Sequence, residues 1–519
     1  MTRRLSLRRG AAALLALSLL AGASAGRAQE PAPSPAPEAE APAAERPAPN
    51  GGILSLLPAP VRSRHSVTVG GTVIPYEAEA GTLSLLGGAG EVTAEIFYTA
   101  YWRDPPAGEG ARDRPITFVF NGGPGAASAY LHIGALGPRI LATEPDGGFA
   151  PPPARLRDNP DTWLDMTDLV FVDPVGTGYS REAPGKAIRD FLGVEQDAAA
   201  MGAFIRLFLQ SHDRTGSPVF LAGESYGGFR AALLARTLQE DVGIRPSGIV
   251  MISPALEFSF VYGDEYQPLT YALTLPALAA ANLERQGVSG DALRRGVAEA
   301  EAYALGPYLE ALASGLEFGR DRASGEVARL TGLPEEVVRR RFARLTPDVF
   351  AKERERGAGE VLSPYDGTLA SPDIAPESAF PVGPDAVLDR SVPALTAAFV
   401  DYARNELGYR TDISYRLLNR ELGRDWDYGT SPSRQGYAGV LDDLQAGRAL
   451  NPAMGVLVAH GYSDLITPYT VSAYLLRQLP TLAGAEPIRL STYEGGHMMY
   501  FRDDSRAALK RDAAALYAD

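Results

Sequence analysis

Apolar positions in the first half of the chain alternate singly or cluster in short solid runs, and each pattern points to a different kind of strand. β-Branched residues alternate with polar ones on both sides of Gly70-Gly71 over residues 66–74, which predicts a hairpin, and residues 94–102 predict a further strand. Four short continuous apolar runs follow, at residues 115–120, 168–173, 218–222 and 248–252, with helical spacing over residues 194–210 between the second and third. Runs without a polar face suit central strands covered on both sides, and their alternation with helix predicts a mostly parallel sheet flanked by helices, an α/β fold. After Ser253-Pro254 the rhythm changes. From Tyr266 to Arg448, Ala, Leu, Arg and Glu recur at helical spacing with no strand-turn-helix unit. The strand pattern returns at residues 454–459 and 488–493, and a helix from Ser505 closes the chain. The expected organisation is a core of two parts, residues 51–257 and 451–519, interrupted by a helical insertion over residues 258–450.

The N-terminal pattern belongs to none of these. Arg3, Arg4, Arg8 and Arg9 precede an apolar run over residues 11–20 and the small residues Ala23-Ser24-Ala25, the layout of a cleavable export signal over residues 1–28. The run is about half the ~20 apolar residues a spanning helix needs, so no stable membrane span is expected. Paired arginines admit the twin-arginine route as well as the general secretory one. Residues 29–50 are almost entirely Pro, Ala and Glu, a composition that stays extended and solvated. A periplasmic or secreted location follows from this reading.

Charge and composition then remove whole classes of function. A formal charge of −14 on 519 residues disfavours nucleic acid and other polyanions. With no cysteine, disulfides, thiolate metal sites and a thiol nucleophile are excluded. No phosphate-binding G-x-x-x-x-G-K-[ST] pattern occurs, and no metal or organic cofactor is implied. The nucleophile, if there is one, is oxygen or nitrogen.

Gly223-Glu224-Ser225-Tyr226-Gly227 supplies an oxygen. It satisfies G-x-S-x-G between a strand run and a helix-capable run, the setting of a nucleophile elbow, in which a strained turn exposes the serine hydroxyl. A hydroxyl needs a base, and the base an orienting acid. The chain has five histidines: His65, His132, His212, His460 and His497. Since this fold orders its triad Ser, acid, His, only His460 and His497 qualify. His497 lies in a short loop between the last strand and last helix and is read as the base, with Asp464, just after the preceding strand, as its orienter. His460, ending a strand, is read as packing or as supporting the site through a hydrogen bond; His132 either lines the cleft or is structural. The loop Asn121-Gly122-Gly123-Pro124-Gly125, at the end of another strand run, is placed to donate backbone amides to an oxyanion.

In order, the segments 121–125 (NGGPG), 159–163 (NPDTW), 173–180 (DPVGTGYS), 223–227 (GESYG), 461–464 (GYSD) and 496–498 (GHM) resemble the landmarks of the serine carboxypeptidase family, peptidase family S10, and the segments 97–101 and 495–500 resemble its bacterial branch. The resemblance implies an α/β-hydrolase fold with a helical insertion over the cleft and a triad of Ser225, Asp464 and His497. It also implies an oxyanion hole from the amides of Gly123 and Tyr226, and binding of a peptide's free terminal carboxylate by Asn121 and Glu224. A carboxylate beside Glu224 requires a shared proton, which favours mildly acidic pH. Three positions depart from the family pattern: Val119 replaces an aromatic residue, Ala135 a second Glu, and Ala126 the usual cysteine. The expected activity is removal of C-terminal residues from peptides through an acyl-enzyme. An esterase or acyltransferase on the same scaffold, and a non-catalytic envelope-binding protein, are the alternatives. Oligomeric state is not legible.

Overall fold

The structure is a computed structural model that describes residues 52–104, 110–261, 265–429 and 438–518. The expected export signal and spacer lie outside the described residues. Nine strands form the main sheet: β1 (Val61–Val69), β2 (Thr72–Leu86), β3 (Val92–Arg103), β4 (Ile116–Phe120), β5 (Asp168–Val172), β6 (Val219–Glu224), β7 (Pro246–Ile252), β8 (Gly455–Gly461) and β9 (Arg489–Tyr493). They lie in the order β1-β2-β3-β5-β4-β6-β7-β8-β9, and the two-residue strand Arg181–Glu182 pairs with β3 off this path. β1, β2 and β3 form an antiparallel wing, joined antiparallel to β5, and every pair from β5 to β9 is parallel. This is the α/β-hydrolase fold.

The solid apolar runs have a direct cause. Val119, Ala222, Val250 and Leu457 enter one buried cluster while Phe118, Leu221, Ile249 and Val458 enter another, so alternate residues of each central strand feed opposite faces and both faces are covered. Helices α1 (Val194–Ser211) and α2 (Tyr226–Thr237) cover the second face. The C-terminal helix Asp503–Tyr517 covers the first.

Between β7 and β8 the chain is mainly helical, but its packing is divided. Helix α3 (Pro268–Arg285) and the helices up to Pro347–Glu353 build a core of their own around Leu275, Leu278, Val327 and Phe350. Further on, Leu395, Phe399 and Tyr402 pack instead into the main core with Phe97 and Tyr101. Between these parts lies a ladder that the helical spacing did not predict, Glu360–Leu362 paired antiparallel with Ala370–Pro372, whose three-residue strands are too short to show a period.

At the base of the sheet, far along the strands from their carboxyl ends, Asp168 is buried between Arg114 Nε at 2.7 Å and Arg214 Nη1 at 2.6 Å. Removing the carboxylate leaves two buried guanidinium groups without their anion. Asp168→Ala should therefore cost about 3–5 kcal/mol of unfolding free energy, measurable by urea titration.

Candidate active site

The residues singled out in the sequence gather at the carboxyl ends of four parallel strands. Asn121 follows β4, Ser225 follows β6, Asp464 lies in the loop after β8, and His497 in the loop after β9. At the turn from β6 into α2, Ser225 has φ 59° and ψ −123°, a left-handed conformation costly for a residue with a side chain. Glycine on each side makes the turn possible: a Cβ on Gly223 would lie 1.9 Å from the carbonyl oxygen of Gly227, and one on Gly227 would lie 2.5 Å from that of Phe120. Ser225 N–H donates to Ile252 O at 2.9 Å, which fixes the turn to β7.

Asp464 and His497 meet directly. His497 Nδ1 is 2.8 Å from Asp464 Oδ2, and both side chains are buried. Asp464 Oδ1 accepts from the backbone N–H groups of Ile466 at 2.9 Å and Thr467 at 3.0 Å, while Thr467 Oγ1 lies 2.7 Å from Oδ2. Burial works against the imidazolium, yet the charge and hydrogen bond of Asp464, with the charge of Glu224, carry the His497 pKa above its ordinary value. Ser225 and His497 line the same cavity of about 800 Å³. No hydrogen bond joins their side chains among the described residues; such bonds commonly tighten only when substrate binds.

Glu224 is buried beneath the serine. Its Oε2 accepts from Asn121 Nδ2 at 2.9 Å, and its Oε1, 3.7 Å from His497 Nε2, is buried without a hydrogen-bond partner. Burial raises the Glu224 pKa, and the opposing influences of His497 and Asn121 do not cancel it. The Asn121 side chain is itself held, its Oδ1 accepting from Leu131 N–H at 2.9 Å. Gly123 and Tyr226 line the cavity beside Ser225, and neither backbone N–H has an acceptor among the described residues.

None of the remaining histidines lines the cavity. His460 is buried, 2.8 Å from Ser472 Oγ, its pKa pushed down to about 4 by burial. His132 sits in an aromatic cluster, Nε2 2.6 Å from the Tyr101 hydroxyl and stacked on Phe171, and does not line the cavity. His65 contacts Ser63 and His212 contacts Glu79, both on the antiparallel side of the sheet. Val119 and Ala135 are fully buried, so neither offers the cavity a polar group. Among the described residues, no group of three or more His, Asp or Glu side chains is gathered as a metal site.

Sequence reasoning missed Arg230. Its Nη1 donates to the carbonyl of Asn121 at 2.8 Å and its Nε to Asp197 Oδ2 at 2.6 Å, pinning the glycine-rich loop from beneath. The signal was present: a lone arginine in the apolar stretch 229–235, which a buried helix face would carry only with a partner.

Residues 85–245 match the family model described as serine carboxypeptidase. Over 162 residues the chain is 32% identical to the Carboxypeptidase Y homolog of Arthroderma benhamiae, a match covering 30% of this chain and 29% of that protein. Over 167 residues it is 31% identical to the Pheromone-processing carboxypeptidase KEX1 of Yarrowia lipolytica, covering 31% of this chain and 24% of that one. The Lysosomal protective protein of Mus musculus is 28% identical over 142 residues, 27% of this chain and 28% of its own length. The match thus spans under a third of each of these curated relatives. The crystal structure of Kex1Δp, a prohormone-processing carboxypeptidase from Saccharomyces cerevisiae, superposes with a TM-score of 0.54 at 16% identity, covering 85% of this chain and 91% of that one, and so shares the fold.

The raised Glu224 pKa has a consequence for stability. The folded state holds this proton more tightly than the unfolded chain does, so the group's contribution is fully present below its ordinary value of 4.5 and is lost as pH rises through the folded value. Glu224→Gln, which keeps an acceptor for Asn121 but cannot ionise, should raise the melting temperature relative to wild type at pH 7–8. The difference should shrink as pH falls toward 4.5, as calorimetry across pH would show.

Proposed function

We propose that this protein is an exported serine carboxypeptidase of the S10 family's bacterial branch, which releases C-terminal residues from peptides through an acyl-enzyme. The observation that carries the proposal is the buried Asp464–His497 pair at 2.8 Å, whose imidazole lines one cavity with a serine on a strained strand-to-helix turn. Residues 85–245 match the serine carboxypeptidase model, and curated relatives named as carboxypeptidases add support. The N-terminal pattern of residues 1–28 supports export, and among the described residues no helix is long and apolar enough to cross a membrane.

In the proposed reaction His497 Nε2 takes the Ser225 proton as Oγ attacks the scissile carbonyl. Asp464 holds the Nδ1–H tautomer and balances the imidazolium. The amides of Gly123 and Tyr226 meet the oxyanion, and His497 returns the proton to the leaving amine. Water then repeats the sequence on the acyl-enzyme. The substrate's terminal carboxylate would meet Glu224, whose Oε1 is buried without a hydrogen-bond partner, with Asn121 behind it; the two acidic groups need a proton between them, and the raised Glu224 pKa makes one available. Recognition of the terminus falls mainly to these two side chains, because Ala135 supplies no second carboxyl group.

Activity therefore needs His497 neutral and Glu224 protonated. The profile of kcat/KM is bell-shaped, its two apparent values belonging to the coupled His497–Glu224 pair. Glu224→Gln should leave the acid limb of His497 alone in the profile, moved to lower pH because the carboxylate charge that favours the imidazolium is gone.

A peptide with a free C-terminus and its amidated twin test the exopeptidase assignment. The free form should be cleaved about 10- to 100-fold faster in kcat/KM, the value of a charge-assisted hydrogen bond or two. Equal rates would remove the terminal-carboxylate requirement and favour an esterase or acyltransferase. Ser225→Ala should lower kcat by a factor of about 10⁴ to 10⁶ and abolish labelling by a fluorophosphonate. Labelling that fails in folded wild-type protein would instead favour a non-catalytic binding protein.

A further inference from the structure

The two loops that bring Asp464 and His497 together are bonded to each other, Ser463 N–H donating to Gly495 O at 2.9 Å, but that is not their only link. Both are tied to one side chain, Asp366, which comes from neither half of the sheet core. Asp366 lies in the turn of the short hairpin formed by Glu360–Leu362 and Ala370–Pro372, inside the helical segment between β7 and β8. Its Oδ1 accepts from Ser463 Oγ at 3.1 Å, one residue before Asp464. Its Oδ2 accepts from Gly496 N–H at 3.0 Å, one residue before His497. One carboxylate thus bridges the acid-bearing and base-bearing loops.

The surrounding contacts run the same way. His497 N–H donates to Tyr365 O at 2.6 Å, Gly367 N–H to Ser463 O at 3.0 Å, and Leu465 N–H to Pro364 O at 3.0 Å. A Cβ on Gly496 would lie 2.1 Å from Tyr365 O and 2.5 Å from the Asp366 Cα, so the loop can be this close only with glycine there. Asp366 is itself oriented. Thr368 N–H donates to Oδ1 at 2.9 Å, Thr368 Oγ1 lies 2.6 Å from the same oxygen, and Arg502 Nη2 donates to Oδ2 at 3.1 Å. Arg502 also reaches Glu284 at the end of α3, whose Oε2 accepts from Gly495 N–H at 3.2 Å. With a residue exposure of 7%, Asp366 makes these bonds largely shielded from water, where geometry rather than solvent decides their strength.

We propose that Asp366, supplied by the insertion, is a positioning residue that sets the Asp464 and His497 loops in the register needed for proton transfer with Ser225. The inference rests on the reading of Ser225, Asp464 and His497 as the catalytic triad. It gives the insertion a part in catalysis beyond roofing the cleft.

The test is Asp366→Asn in the full chain. The variant is nearly isosteric, but one oxygen becomes an amide that cannot accept, so either Gly496 N–H and Arg502 Nη2 lose their acceptor, or Thr368 N–H loses its own and the Ser463 Oγ bond must reverse its direction. Displacement of the imidazole on the ångström scale should lower kcat, and the rate of fluorophosphonate labelling, about 10- to 100-fold, with KM for a free-terminus peptide within about 3-fold of wild type. The pH profile separates positioning from general damage. The ionisable groups facing His497 are Asp464 and Glu224, with the Tyr365 ring edge-on and His460, held neutral by burial, nearby. An imidazole drawn away from Asp464 loses the charge that favours its protonation, so the acid limb of kcat/KM should move to lower pH. A rate that falls equally at every pH with the limb unmoved, or a kcat equal to wild type, overturns the proposal. Should Asp366→Asn fail to fold, Ser463→Ala, which cuts only the tie to the acid-bearing loop, decides. The same split between kcat and KM supports the proposal, and wild-type kinetics overturn it. Ser225→Ala run in parallel keeps the two readings apart: an active Ser225→Ala defeats the triad itself, whereas an inactive Ser225→Ala beside a fully active Asp366→Asn defeats only the positioning role.

Discussion

An aspartate and an imidazole buried 2.8 Å apart constrain everything around them. Taking a charged carboxylate out of water costs several kcal/mol unless its lone pairs are met. Here two backbone amides, a threonine hydroxyl and the imidazole meet them. Three of those donors come from the Asp464 loop itself, and only the imidazole crosses from the neighbouring loop, which the parallel pairing of β8 and β9 brings alongside. The remaining architecture delivers a third loop to the same place: β6 stops at the same edge and turns sharply into α2, presenting the serine.

The sheet was readable in the chain because its strands are simple. A strand covered on both faces must be apolar at every position, and such a run differs both from helix and from the alternating hairpin of β1 and β2. Central-strand boundaries shifted by a residue or two, β6 extending to Glu224 and taking into the strand a carboxyl group that had read as part of the turn, whereas the hairpin expected over residues 66–74 is two longer strands, Val61–Val69 and Thr72–Leu86. Beyond β7 legibility fell. Residues 266–448 announced helix but not destination, since helical spacing shows that one face is buried and does not say against what. Part of that stretch packs on itself and part packs on the sheet, and the distinction resides in contacts between residues hundreds of positions apart, such as Phe97 with Phe399.

For the site, the residues that could be named were those whose chemistry or backbone geometry is local. Ser225 sits in a motif that encodes its own turn, and His497 and Asp464 follow strand runs in the order the fold demands. Arg230, Thr467 and Asp366 escaped notice because each acts through a neighbour. A threonine three residues after an aspartate reads as an ordinary turn, and an aspartate in a short loop reads as solvated surface. His132 shows the converse: a histidine close in sequence to the glycine-rich loop points away from the cleft because Tyr101 and Phe171 supply an aromatic pocket for it.

The divided packing between β7 and β8 bears on how the molecule can diversify. The helices from Pro268 to Glu353 close a core of their own, yet Tyr271, Thr274 and Asp348 from that block reach the cavity wall. Such a block leaves those three cavity-wall residues room to vary, within limits set where Leu465 enters its core and Tyr469 packs on Leu293 and Val297. The stretch from Leu388 onward has no such freedom, since Leu395, Phe399 and Tyr402 are interior parts of the sheet's own packing. Heritable change in what the cleft admits would then concentrate at the cavity-facing positions of the Pro268–Glu353 helices, and the later helix would drift slowly with the core.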